Sequence, residues 1–375
     1  MHILHLHSTF QPGGKELRAA RLMNLFGPKV RHTIVSAVPD ALGAASAIDP
    51  SIEVSYPTDF EPLAGKPRPA RLLRLARAMQ GFDLVLSYNW GAMDAVLAHA
   101  VFRDYLSLPA LVHHEDGFNK DEAARLKPSR NWFRRVALAR SAGLVVPSRR
   151  LEQTALGVWH QPRSRVHLIE NRIDTARYAK RPKPDALPRV VKRPGERWVG
   201  TLAGLRAVKN LPRLVRVCAD LPEPWQLVIA GEGPEREAIK AEALRLDVAH
   251  RVHLPGFVAD PATAVGLFDI FALSSDSEQF PISVVEAMAA GLPVASPAVG
   301  DVAGMVAVEN QPFIARPGDE GALSQAIETL ALDEALRDRI GAANRTKAAA
   351  CYDEAKMIAA YRRLYASASG RAELG

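Results

Sequence analysis

Cysteine is nearly absent: Cys218 and Cys351 are the two present, far apart in 375 residues. That excludes a disulfide framework and a thiolate zinc site, and points to a reducing compartment. No stretch of 18 uncharged apolar residues occurs, so no spanning helix is expected. The opening MHILHLHSTF lacks a basic segment before a long apolar run, and reads as a first strand rather than a signal peptide. Aromatics make up 6% of the chain and form no pattern interleaved with basic residues, so nucleic acid is not an expected partner. No repeat of solenoid period is present.

Hydrophobic content is 48% and charged content 24%, ordinary for a globular chain long enough for two or three domains. The net charge of +7 is uneven. Residues 1–190 hold 28 Lys/Arg against 17 Asp/Glu, and residues 191–375 hold 20 against 24. A basic half is compatible with an anionic membrane surface. Arg71, Arg74 and Arg77 recur every three residues in RPARLLRLARAMQ, the pattern of a basic amphipathic helix. Lys127, Arg130, Arg134 and Arg135, with Trp132 and Phe133, could extend that face. A solvated helix covering a core is the competing reading.

Short apolar runs alternate with helical patterns along the whole chain. Strands are expected at 2–7, 32–38, 52–56, 82–87, 110–113, 144–147 and 166–169, with helices at 15–26, 92–100 and 149–156, the last capped by Ser148. Residues 179–197 are rich in proline and charge and read as a linker. A second alternation follows: strands at 198–202, 225–230, 251–254, 270–273 and 293–296, helices at 210–219 and 234–246, and a further strand near 312–314. Helices at 319–331 and 334–369 end the chain. Two α/β domains with a cleft between them are expected: 1–178, joined by the helix at 352–369, and 198–351.

The organising stretch is SSDSEQFPISVVEAMAAGLPVASPAVG, residues 274–300. Glu278 lies on a loop after a strand, and Glu286 about one turn into the helix that starts near Ile282 and stops at Gly291. The first N–H groups of such a helix, at Ile282 and Ser283, are open to an anion. Both carboxylates can then face one ligand that begins in a phosphate and ends in hydroxyls.

This E-x7-E segment, with its V-E-A-M-A-A-G-L-P-V tail, resembles the donor-site signature of the retaining GT-B glycosyltransferases of family 4 (glycosyl transferases group 1). Sucrose synthases and many bacterial lipopolysaccharide transferases belong there. GTLAGLRAVKNLPRL resembles the family's G-R-L-x-x-x-K-N/G motif, with Lys209 in place; Gly204 stands where the family has arginine, and Arg206 two residues on. Gly231-Glu232-Gly233-Pro234 resembles the family's G-x-G-P turn, and HLPGFV (253–258, with Phe257) the segment that lines the base. Asn171, Ile173 and Asp174 resemble its N-G-x-D hinge, with Arg172 replacing glycine.

The resemblance implies a GT-B fold of two Rossmann-like domains facing across a cleft, and sugar transfer from a UDP-, GDP- or ADP-sugar without a metal or other cofactor. It implies that Lys209 and Arg206 meet the diphosphate, Glu286 the ribose and Glu278 the transferred sugar. Gly231, Gly233, Phe257, Phe280, Ile282 and Ser283 would shape the donor pocket. Gly13 and Gly14 would approach the donor from the first domain. A histidine near the transferred sugar is implied at His114, with His113 the alternative and Glu115 or Asp116 to orient it. Lys209, Glu278 and His114 are thus the catalytic candidates. The acceptor is expected to be a saccharide, free or lipid-linked, in surface polysaccharide or lipopolysaccharide synthesis. A cytoplasmic site, peripheral to the inner membrane face, would suit it. The alternative is a degenerate GT-B domain that binds nucleotide or partner without turnover.

Overall fold

Strand 1, HILHLH, alternates short apolar and imidazole side chains, and all but its first residue are buried. A strand covered on both faces reads this way in a parallel sheet with helices above and below. The computed structural model describes residues 1–118, 122 and 125–374. It divides into two units, Met1–Glu170 with Lys356 onward, and Asn171–Ala355.

In the first unit the elements run β1 (His2–His7), α1 (Gly14–Phe26), β2 (Arg31–Ser36), β3 (Val54–Ser55), α2 (Pro69–Ala78), β4 (Leu84–Tyr88), α3 (Met93–Phe102), β5 (Ala110–His114), α4 (Pro128–Ala137), β6 (Gly143–Val146), α5 (Arg149–Gly157) and β7 (Val166–Leu168). The seven strands lie in the order β3-β2-β1-β4-β5-β6-β7, all parallel. Order reverses between β1 and β4, the switch point of a doubly wound sheet. Ser148 caps α5, its Oγ accepting from Leu151 N at 3.1 Å.

The second unit runs α6 (Thr175–Tyr178), β8 (Arg197–Leu202), α7 (Leu211–Cys218), β9 (Trp225–Ala230), α8 (Arg236–Arg245), β10 (Val252–Gly256), β11 (Ile270–Ala272), α9 (Ile282–Ala289), β12 (Val294–Pro297), α10 (Val302–Met305), β13 (Ile314–Ala315), α11 (Glu320–Leu332) and α12 (Glu334–Cys351). Its sheet, β10-β9-β8-β11-β12-β13, is also parallel and reverses between β8 and β11. The expected helix 334–369 is two: α12 ends before Tyr352, and α13 (Glu354–Ala368) places Tyr361, Leu364 and Tyr365 in the core of the first unit.

The domain limits differ from those expected. Residues 171–178 group with the second unit, because Tyr178 is buried in its core. Residues 179–197 are not free: Leu187 is buried, and Lys192 Nζ bonds Leu267 O and Asp269 Oδ2, both at 2.6 Å. Proline and charge gave this segment the composition of a linker, but the buried Leu187 and the ion pairs of Lys192 and Arg197 hold it down.

The amphipathic α2 is the solvated cover. Arg71 bonds Asp94 (2.6 Å) and the carbonyls of Pro62 and Leu63, and Arg74 bonds Glu61 (2.8 Å). In α4, Arg130 and Arg134 bond Glu122, and Arg134 is fully enclosed among Trp90, Phe118 and Trp159. Trp132 stays 66% exposed, while Phe133 is half-buried. No described helix is long and apolar enough to cross a membrane.

Candidate donor site

In open α/β sheets the ligand crevice lies outside the carboxyl ends of the strands, at the switch point. In the second unit those ends are the loops after β8 and β11. The first carries Lys209 and the second Glu278, and the two side chains pair at 2.5 Å. Both are mostly shielded, at 16% and 11% exposure. Ser275 Oγ donates to the same Glu278 oxygen at 2.7 Å. Ser274 Oγ donates to Lys209 O, and Asp276 N to Val208 O, so the loops are laced together along their backbones. Arg213 adds bonds to Ser274 O (3.0 Å) and Asp276 (2.8 Å). Arg206 is exposed, with no ion pair among the described residues.

The glycine turn after β9 seals the other side of the β8 loop. Gly231 has φ +149°, and a Cβ there would lie 1.8 Å from Ala203 O. At Gly233, φ +152°, a Cβ would lie 2.5 Å from Leu205 O. The backbone uses that space: Leu205 N bonds Glu232 O at 2.9 Å, and Gly231 N bonds Gly256 O at 2.8 Å. Only glycine lets the loops after β8, β9 and β10 approach so closely. Phe257 follows Gly256 and is 51% exposed at this edge.

Helix α9 starts at Ile282, with Pro281 before it. The amides of Ile282 and Ser283 have no intrahelical acceptor at that position. Val284, Val285, Ala287 and Met288 are fully buried, the two valines and the methionine each worth on the order of 1.5–3 kcal/mol in removed apolar surface. That burial fixes α9 and carries Glu286 inside with it, 9% exposed. Oε1 of Glu286 accepts from the Tyr178 hydroxyl at 2.9 Å. Burial pushes the Glu286 carboxyl up to about 7; the Tyr178 bond opposes the rise and Asp260 adds to it. Phe280 lies in the core, edge-on to Tyr352 at 5.8 Å, so its ring is not presented to a ligand and its expected part is confined to the main chain. Gly291, φ +79°, closes the helix.

Three partners escaped the sequence reading. Tyr178 lies four residues past Asp174 of the hinge-like segment, Ser275 three before Glu278, and Arg213 in the first turn of α7. A cavity of about 400 Å³ also opens near α6, lined by Arg177, Lys180, Arg181, Lys183, Asp260 and Thr263. Among the described residues, no group of three His, Cys, Asp or Glu is placed to hold a metal ion.

In the first unit the reading of His114 requires correction. Its ring is 1% exposed and both nitrogens are engaged. Nδ1 faces Ser87 O at 3.2 Å and must donate, so Nε2 accepts from the Tyr365 hydroxyl at 2.7 Å. Burial, reinforced by Arg18, brings its pKa down to about 3. An enclosed, neutral, doubly bonded imidazole has nothing left to offer a sugar; α13 covers it. His113 points the other way, as strand alternation requires, but is equally enclosed, with Nδ1 at 2.9 Å from Ser87 Oγ. Of the two expected orienting groups, Glu115 lies within 3.8 Å of His113 Nε2, too long for a hydrogen bond, and Asp116 is turned to Arg18. Glu115 bonds Arg134, and Asp116 makes a two-toothed pair with Arg18 at 2.6 and 2.9 Å. Gly13 caps α1 beside Lys15 and Glu16, which are paired, and burial raises the Glu16 carboxyl. Gly14 is the first residue of α1.

Comparison with known proteins agrees with this architecture. Residues 12–177 match the family profile Glycosyltransferase Family 4, and residues 183–347 match Glycosyl transferases group 1. The crystal structure of Anabaena Alr3699/HepE, in complex with UDP and glucose, superposes with a TM-score of 0.80 at 19% identity, covering 98% of this chain and 100% of that one. Sucrose-phosphate synthase from Thermosynechococcus elongatus gives a TM-score of 0.75 at 20% identity, with 98% of this chain covered. In sequence, EpsF of Bacillus subtilis is 29% identical over 229 residues, 54% of this chain and 57% of its own. N-acetyl-alpha-D-glucosaminyl L-malate synthase of Bacillus anthracis is 25% identical over 208 residues, 55% of this chain and 54% of its own. These matches span about half the length of the curated relatives. Two profiles covering most of the sequence, on two doubly wound parallel sheets, show that the chain belongs to the GT-B glycosyltransferases of family 4 and group 1.

Proposed function

We propose that this chain is a retaining glycosyltransferase, moving a sugar from a nucleotide diphosphate to a saccharide acceptor. The observation that carries the reading is the Lys209–Glu278 pair at the β8/β11 switch point. One cation and one carboxylate, already apposed, match the two halves of a nucleotide sugar.

When the sugar–phosphate bond breaks, negative charge grows on the departing diphosphate. Lys209, the α9 amides of Ile282 and Ser283, and Arg206 from the same loop would hold that charge. Glu278 would accept from hydroxyls of the transferred sugar and Glu286 from the ribose. With Lys209 engaged by phosphate, Glu278 keeps Ser275 as its donor and is free to turn to the sugar. No protein nucleophile is assigned. The acceptor attacks on the face the diphosphate leaves, and the departing phosphate takes the acceptor proton, which retains the anomeric configuration. The roles of Gly231 and Gly233 are to bring backbone close to the nucleotide, and Phe257 lies where a base would be lined.

HepE, with UDP and glucose bound, and the lipopolysaccharide outer core galactosyltransferase WaaB, at TM-score 0.68, support a nucleotide sugar donor and a saccharide or lipid-linked acceptor in surface polysaccharide or lipopolysaccharide synthesis. We place any contact with the cytoplasmic membrane face at α4, where Trp132, Arg135 and Val136 are exposed. The ion pairs of Arg71 and Arg74 leave α2 less suited to it.

Gly204, in the arginine position of the family motif, favours one second reading: a domain that binds nucleotide without turnover. Incubation with UDP-, GDP- and ADP-sugars and a panel of lipid-linked and free saccharides, followed by NMR of the product anomer, separates the two. A glycosylated product of retained configuration supports transfer. Nucleotide binding with no product from any pair supports the second reading.

A further inference from the structure

We propose that Tyr178 is a positioning residue of the donor site: its hydroxyl holds Oε1 of Glu286 and leaves Oε2 to accept from the ribose diol of the nucleotide. This rests on the donor-site reading above and extends it to a residue on a different element. Tyr178 ends α6, and Glu286 lies mid-way along α9. Both are more than nine-tenths buried, and the O–O distance is 2.9 Å. A carboxylate alone inside an apolar helix would swing freely about its terminal torsion or take up a proton. One fixed donor removes the first option and opposes the second.

The direction of the bond is set. Burial and the Glu286 carboxylate raise the Tyr178 phenol far above its ordinary value, so it stays protonated and donates. The groups facing Glu286 are few. From α6 there is Tyr178. After β10 there is Asp260, itself paired with Arg177 at 2.6 Å. From α12, Arg345 bonds Ala290 O, beyond the C-terminal end of α9. Asp301 stands before α10, with its N–H on Gln279 O. Sheet strand β12 brings no titratable side chain. Tyr178 is therefore the one direct partner of the carboxyl among the described residues, and its bond favours the ionised form that a diol requires.

The test is calorimetric titration of the full chain with UDP, GDP and ADP at pH 6 to 9, and with the 2′,3′-dideoxy form of whichever binds. Tyr178→Phe keeps the ring and deletes only the donor. It should weaken the ribonucleotide about ten-fold at pH 7, as expected for a bond to a charged group. The midpoint of the pH dependence should move upward, and the loss should shrink by pH 9, where both proteins hold an ionised Glu286. Affinity for the dideoxy nucleotide should not change. In Glu286→Ala, which leaves Tyr178 nothing to hold, this pH dependence should vanish, and adding Tyr178→Phe should bring no further loss. Equal weakening of the ribo and dideoxy ligands, or an unchanged pH midpoint, would overturn the proposal while leaving the donor site standing. No binding of any nucleotide by the wild type would overturn both.

Discussion

Glutamine in place of Glu286 removes a charge that the fold keeps out of water. An unfolded glutamate ionises near 4.5, and this one near 7. Between those values the folded chain retains a proton that the unfolded chain has released. Stability is therefore fully present below about 4.5 and falls as pH rises, with the loss complete above about 7. At 1.36 kcal/mol per pH unit, the gap corresponds to about 3 kcal/mol. Glu286→Gln keeps an oxygen for the Tyr178 hydroxyl and is neutral at every pH. In the ligand-free protein at pH 8 it should be more stable than wild type by about that amount. For a unit of this size, about 2–4 °C per kcal/mol places the rise near 6–12 °C in the transition that includes α9. At pH 4.5 the difference should close. Differential scanning calorimetry at the two pH values is the assay. A variant no more stable than wild type at pH 8, or equally stabilised at pH 4.5, would refute the argument that burial of this carboxylate is a strain on the fold. Such strain, maintained at one residue of an otherwise apolar helix, is what a ligand-binding group in a core helix looks like.

Other substitutions address the loops around it. Gly231→Ala sets a Cβ 1.8 Å from Ala203 O at φ +149°, a region costing about 1–3 kcal/mol before any clash. Its melting temperature should drop by several degrees and nucleotide affinity by at least about ten-fold. Glu278→Gln frees Lys209 from its carboxylate. Calorimetry should show the nucleoside diphosphate bound as tightly as by wild type or more so, and the nucleotide sugar losing whatever affinity its sugar adds. Tyr365→Phe strips the donor from buried His114 Nε2 and should lower stability by about 1–3 kcal/mol in denaturant titration. The pH profile of activity should keep its shape, because His114 remains neutral throughout the working range.

The strands and their glycine turns were legible because period-2 and period-3.6 patterns and turn residues are local. Gly231 and Gly233 read as a tight turn, and the structure supplies the reason in the carbonyls of Ala203 and Leu205. Lys209 and Glu278 were separately legible, 69 residues apart, but their pairing depends on β8 and β11 being neighbours. Tyr178 could not be found: nothing local links it to a carboxylate 108 residues on. His114 misled for a similar reason. A histidine at a strand's carboxyl end looks exposed until α13, more than 240 residues later, covers it with Tyr365. The seven basic residues read as one face are likewise divided by carboxylates from elsewhere, Glu61, Asp94 and Glu122. Pattern reports which side chains share a helix face, but not what lies opposite.

The donor site stands or falls on a diphosphate held by Lys209 in the second unit. Its most direct test is calorimetric titration of wild type and Lys209→Ala with UDP, GDP and ADP, with chelator present. One nucleoside diphosphate should bind, at one site per chain. The variant should lose about 10- to 150-fold in affinity, the worth of a hydrogen bond to a charged group. Equal affinity in the two proteins, or no binding of any nucleotide by the folded wild type, would contradict it.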